Sequence, residues 1–108
     1  MLWFGRKNRE IVAFAQSLAD EFFKNVPPAM IEKRHDKKDQ KGAKKAERRY
    51  LASLDDTIEA IVRFKQQKKL KVYGKAKLYL EFTNRLKSLG YEQHLADKVQ
   101  ETIVLKVT

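Results

Sequence analysis

The chain has 108 residues, enough for about one domain, and carries 24 Lys+Arg against 14 Asp+Glu, a net charge of +10. With no Cys it can form no disulfide framework, zinc ribbon, thiol nucleophile or cysteine-ligated cluster. Only four Gly and two Pro argue against a turn-rich β-sandwich, and 43% hydrophobic residues argue against a wholly disordered chain.

Asn8 is a candidate helix N-cap, with Glu10 in the first turn, where the helix dipole favours an acid. Ile11, Phe14, Ala15, Leu18 and Phe22 then recur at three- and four-residue spacing, and Val12, Ala19, Phe23 and Val26 widen the stripe. Pro27 and Pro28 stop this helix, because neither has an N–H to donate and Pro27 disfavours the helical region at Val26. Trp3 and Phe4, before the expected helix start and beside Arg6 and Lys7, are read as a lid folded back on the core. The alternative is insertion at a membrane interface. Arg6, Lys7 and Arg9 ahead of Ile11–Leu18 form a poor secretion signal, broken by Glu10, Gln16 and Ser17, so cleavage is not expected. No run approaches the roughly 18 apolar residues of a membrane span, and a cytoplasmic location is the default expectation.

The stretch Glu32–Lys45 is polar, contains Gly42 and shows no apolar period, so it is expected to be a mobile basic loop. A second helix should begin around Ala43–Glu47, with Tyr50, Leu51, Leu54, Ile58 and Ile61 on its buried face and Val62 and Phe64 on the shoulders. The stripe fails at Lys65, Lys68 and Lys69, which places the helix end near Lys68 or makes the last turn basic all round. Leu70–Tyr73 alternates like a short strand before Gly74 breaks it. A third helix follows with Leu78, Tyr79, Phe82, Leu86 and Leu89 on one face. Gly90 suits the left-handed C′ position of a Schellman ending that pairs Tyr91 with Leu86. The fourth segment carries Tyr91, Leu95, Val99 and Ile103 at helical steps, while its tail, Ile103–Val107, is β-branched. The expected fold is therefore all-α, a single domain over 1–108 of about four amphipathic helices in a bundle. The alternative is α+β, with a minimal two-stranded pairing of 70–73 and 103–107.

Charge is unevenly spread. Residues 1–31 carry net +1, residues 32–49 net +5 and residues 50–108 net +4. Two clusters dominate, at 33–49 and 63–77, and the second holds seven basic residues and no acid. Catalytic signatures are absent. His35 with Asp36 and Asp39, and His94 with Asp97 and Glu101, fall short of a convergent ligand set, so no metal site is expected. Asp55, Asp56 and Glu59 read as a solvated face, with Glu59 and Arg63 an i,i+4 pair. Gly74-Lys75 lacks the phosphate-loop frame, and Ser17, Ser53 and Ser88 lack a nucleophile elbow. An enzyme and a cofactor are not expected.

Binding is the remaining class. Arg48, Arg49, Arg63, Lys68, Lys69, Lys71, Lys75 and Lys77 could share one phosphate-binding surface if the 63–77 turn lies beside them, with Tyr73 stacking on a base. Lysine outnumbers arginine, so sequence readout is not indicated. A helix-turn-helix around Gly90 is disfavoured by Glu92, Asp97 and Glu101 on its second helix. The leading expectation is a small non-specific nucleic-acid or polyanion-binding module. The alternative is an adaptor or homo-oligomer that uses exposed apolar faces (Trp3, Phe4, Phe23, Phe64, Tyr79, Leu80), with the basic loop docked on an acidic protein.

Overall fold

One long helix, α1 (Leu2–Asn25), opens the fold in a computed structural model that describes residues 2–107 and side chains from Arg6 onward. The side chains of Trp3 and Phe4 lie outside the described residues. The helix does not start at Asn8, which is interior to it. Glu10 does not serve as an N-terminal acid but reaches across to Lys68 Nζ at 3.1 Å. Ile11, Ala15, Ala19, Phe22 and Val26 form the buried face at three- and four-residue steps. Pro27 then takes the extended N-cap geometry of α2 (Pro28–Lys33), with Pro28 at its first position, where a missing N–H costs nothing. This short helix is a fifth element beyond the four that periodicity indicates. Six residues hold only one buried apolar side chain, Ile31, too few to show a period.

The loop is shorter than the polar composition suggests. Only residues 34–39 separate α2 from α3 (Gln40–Lys68), which starts several residues before Ala43–Glu47. The start is fixed by a side-chain cap: Asp39 accepts the Gly42 N–H at 3.0 Å, and Lys33 Nζ lies 3.3 Å from its other oxygen. Those two partners, the backbone N–H first, hold the Asp39 carboxyl below the usual carboxylate range. The buried face of α3 is Ala46, Tyr50, Ser53, Leu54, Thr57, Ile61 and Phe64. Leu51 is turned off this face and stays 49% exposed.

The end of α3 falls at Lys68, and Lys69 takes a left-handed conformation with φ 52°. Leu70 N donates to Lys65 O and Lys69 N to Gln66 O, the two bonds of a Schellman ending. Helix α4 (Val72–Ser88) and helix α5 (Gln93–Val107) complete the chain. No strand occurs among the described residues, so 70–73 and 103–107 do not pair. Tertiary packing overrides β propensity in that tail, because Val99, Ile103 and Val107 are all buried at helical four-residue steps. The α4 ending matches its sequence signature. Gly90 has φ 104°, Tyr91 N donates to Leu86 O, and Gly90 N donates to Lys87 O.

One apolar core joins all five helices. Helix α4 lies mainly along α1, where Arg85 grips Asp20 through Nε–Oδ1 at 2.8 Å and Nη2–Oδ2 at 3.3 Å. Helix α2 is held on α3 by Arg34, which bonds Glu47 at 3.2 Å and covers the Tyr50 ring at 4.1 Å. Phe14 stacks on Phe64 with ring centroids 4.0 Å apart, and Phe22 meets Tyr50 and Tyr91. The Tyr91 hydroxyl donates to Val26 O, and burial raises its pKa. The result is an elongated bundle, 56 × 23 × 19 Å.

Candidate polyanion interface

The two basic clusters do not share a surface. Residues 48 and 68 stand about 30 Å apart along α3, at 1.5 Å per residue. Asp55, Asp56 and Glu59 are exposed between them. Arg49 is committed locally, with Nε donating to Asn25 O at 2.8 Å, so it closes the end of α1.

The first region is a stripe on α3. Lys41, Lys44, Lys45 and Arg48 follow i, i+3, i+4, i+7 spacing, and all four are exposed. A shallow depression is lined by these four side chains alone. None of them meets an acid among the described residues. The nearby acids are engaged elsewhere, Glu47 with Arg34 and Asp39 with Lys33. Charge on this face works against the fold. Four like-charge pairs at i+3 or i+4 each cost about 0.2–0.5 kcal/mol, and the first turn of α3, where Lys41 sits, disfavours a cation. Apolar periodicity alone leaves Lys41, Lys44 and Lys45 in the expected loop 32–45 and so conceals the stripe. Its signal was a basic period of 3.6 rather than an apolar one.

The second region is the opposite end of the bundle. Three of its sequence-predicted cations are paired with acids: Arg63 with Glu59, Lys68 with Glu10, and Lys77 with Glu81 at 3.1 Å. Lys65 Nζ donates to Val107 O at 3.4 Å, at the carbonyl end of α5. Lys69, Lys71 and Lys75 make no ion pair among the described residues. Because α1 runs antiparallel to α3, Arg6 and Lys7 line a depression with Lys68, and Arg9 lines another with Lys77. These α1 cations were read as a poor secretion signal, and nothing local in the sequence joins them to Lys68. Val72 and Tyr73 are exposed here. Gly74 is buried, and a Cβ there would come within 3.1 Å of Leu70 and 3.6 Å of Ile11, so the missing side chain lets α4 seat closely on α1.

Several residues read as exposed apolar contacts belong to the core. Phe64 and Tyr79 are buried and Phe23 is half-buried, whereas Leu80 is exposed. The Tyr79 hydroxyl is buried without a hydrogen-bond partner among the described residues. His35 and His94 line one groove between α2 and α5 with Glu32 and Glu92. Among the described residues no three His, Asp or Glu converge to hold a metal ion. Among the described residues no helix is long and apolar enough to cross a membrane. No known protein family, curated protein or solved structure matches the chain.

Proposed function

We propose that the protein is a small non-enzymatic module that binds nucleic acid, or another phosphate polyanion, without sequence preference. The observation that carries the reading is the α3 stripe of Lys41, Lys44, Lys45 and Arg48: exposed, free of acids and costly to the helix that bears it. Over its eight residues it covers about 10 Å, about three 3.4 Å intervals along one strand of a duplex, which present about four phosphates. Phosphate contacts give affinity through counterion release, and lysines that approach as point charges give no base readout.

Fluorescence anisotropy with labelled single- and double-stranded oligonucleotides tests this. Four contacts give a log–log salt slope of about −3.6 on duplex and about −2.8 on a single strand. Sequence-scrambled oligonucleotides bind alike. No binding at low salt, or binding indifferent to salt, would overturn the reading.

A further inference from the structure

The stripe of Lys41, Lys44, Lys45 and Arg48 is one half of a longer pattern on α3. Two turns further along the same exposed face stand Asp55, Asp56 and Glu59. At about 100° per residue all seven fall within about 120° of arc. Between the two blocks the face is apolar: Ala52 is exposed, and Leu51, at its edge, is 49% exposed. Tyr50, Leu54 and Ile61 are buried on the opposite side of the helix.

Sorting the charges into blocks works against the isolated helix. Asp55 and Glu59 are a like-charge pair at i,i+4, Asp56 and Glu59 at i,i+3, and the four cations repel in the same way. Interspersed signs would give favourable pairs at the same spacings. Asp55 and Asp56 form no ion pair among the described residues, and aspartate suits a helix interior poorly. The ion pair of Glu59 with Arg63 is exposed and worth little.

From this pattern we infer that α3 pairs antiparallel with α3 of a second copy of this chain. A basic block followed by an acidic block complements itself only when the second helix runs the opposite way. A two-fold axis then satisfies both halves at once. With that axis between Leu51 and Ala52, Arg48 faces Asp55 of the second copy and Lys44 faces its Glu59. Each contact occurs twice. Leu51 and Ala52 meet at the axis, where the small alanine lets the helices approach. The face is about 27 Å long from residue 41 to residue 59 and has few apolar atoms, so the pairing is weak and reversible. Each chain carries net +10, but at physiological salt that repulsion is screened beyond about 8 Å, while contacts across the helix pair persist. The pairing covers the cations assigned above to phosphate, so self-association masks that site. The masking rests on the nucleic-acid reading, and the pairing does not.

Sedimentation equilibrium of the full chain at physiological salt, without nucleic acid, tests the pairing. A reversible monomer–dimer equilibrium is expected below millimolar concentration. Lys44→Glu with Arg48→Glu sets acid against acid at both contacts, and Asp55→Lys with Glu59→Lys sets base against base. Each double variant alone should dimerise at least about tenfold more weakly. Mixed in equal amounts, the two variants restore opposite charges at every contact and should form a heterodimer within about threefold of the native constant. Misfolded chains would give no such rescue. Added oligonucleotide should dissociate the native dimer. A native chain that stays monomeric up to millimolar concentration, or a mixture no more associated than its components, would overturn the pairing. Oligonucleotide that binds and leaves the dimer intact would overturn the masking. Dimerisation with rescue, in a chain that binds no oligonucleotide, would bear out the pairing and overturn the nucleic-acid reading, so the two failures are separable.

Discussion

The protein carries two cationic surfaces that would look alike on a charge tally. At the start of α3, Lys41, Lys44, Lys45 and Arg48 form a stripe of charge with no ion pair among the described residues. At the far end, Lys68 and Lys77 are tied to acids of their own chain, while Lys69, Lys71 and Lys75 surround exposed Val72 and Tyr73. Net charge does not separate them. Pairing and apolar neighbours do. A lysine that answers a glutamate holds helices together, whereas a lysine that answers nothing on its own chain is available to a partner.

Charge reversal at the stripe gives the largest expected effect. Lys41→Glu with Lys44→Glu and Lys45→Glu should weaken oligonucleotide binding at low salt by a factor on the order of 100 or more, read by anisotropy. An equal loss on charge reversal of Lys69, Lys71 and Lys75 would merge the two surfaces into one and break the comparison.

Neutralising part of the stripe should also make the protein more stable. Lys44→Gln with Lys45→Gln removes all four like-charge contacts, worth about 1–2 kcal/mol, or a rise of roughly 4–8 °C in Tm. A fall in Tm would mean that these lysines serve the fold and would remove the main argument for a binding role.

Alkaline pH should weaken both surfaces at once, because it destabilises the scaffold they share. Burial raises the pKa of Tyr91, Tyr50 and Tyr79 in the folded chain. Tyrosine in the unfolded chain ionises near pH 10. The stabilising contribution is therefore complete below about pH 10 and is lost as pH rises through the folded values. Urea midpoints measured on either side of pH 10 should fall on the alkaline side. A flat profile would contradict the burial of these rings.

Smaller effects sharpen the contrast further. Lys69→Gly should keep the stability or raise it by up to about 1 kcal/mol, read by circular dichroism as an unchanged or higher thermal midpoint. Tyr79→Phe removes a buried hydroxyl with no partner among the described residues, and should be neutral or stabilising by about 1 kcal/mol in urea titration. A clear loss on Tyr79→Phe would reveal a partner for that hydroxyl.

Much of the architecture was legible because apolar periodicity reports buried faces directly. Leu78, Phe82 and Leu86 on α4, the Schellman ending at Gly90, and the break at Pro27 were all readable. What escaped was helix without an apolar stripe. Residues 40–45 are helical because Asp39 caps them and the following turns are anchored by Ala46 and Tyr50, not because of any apolar side chain of their own. Reading that stretch as a loop hid the functional candidate, since the same four cations look unordered until the 3.6-residue period is applied to charge. The second cluster was legible as composition only. Its internal ion pairs, and its union with Arg6 and Lys7, depend on α1 lying antiparallel to α3, which no local pattern encodes.

The most direct measurement is the salt dependence of oligonucleotide binding for the native chain beside Lys44→Gln/Lys45→Gln. A duplex slope of about −3.6 that becomes shallower by about 2 in the variant would identify the α3 stripe as the phosphate-binding surface. An unchanged slope, or no binding by the native chain at low salt, would contradict the account.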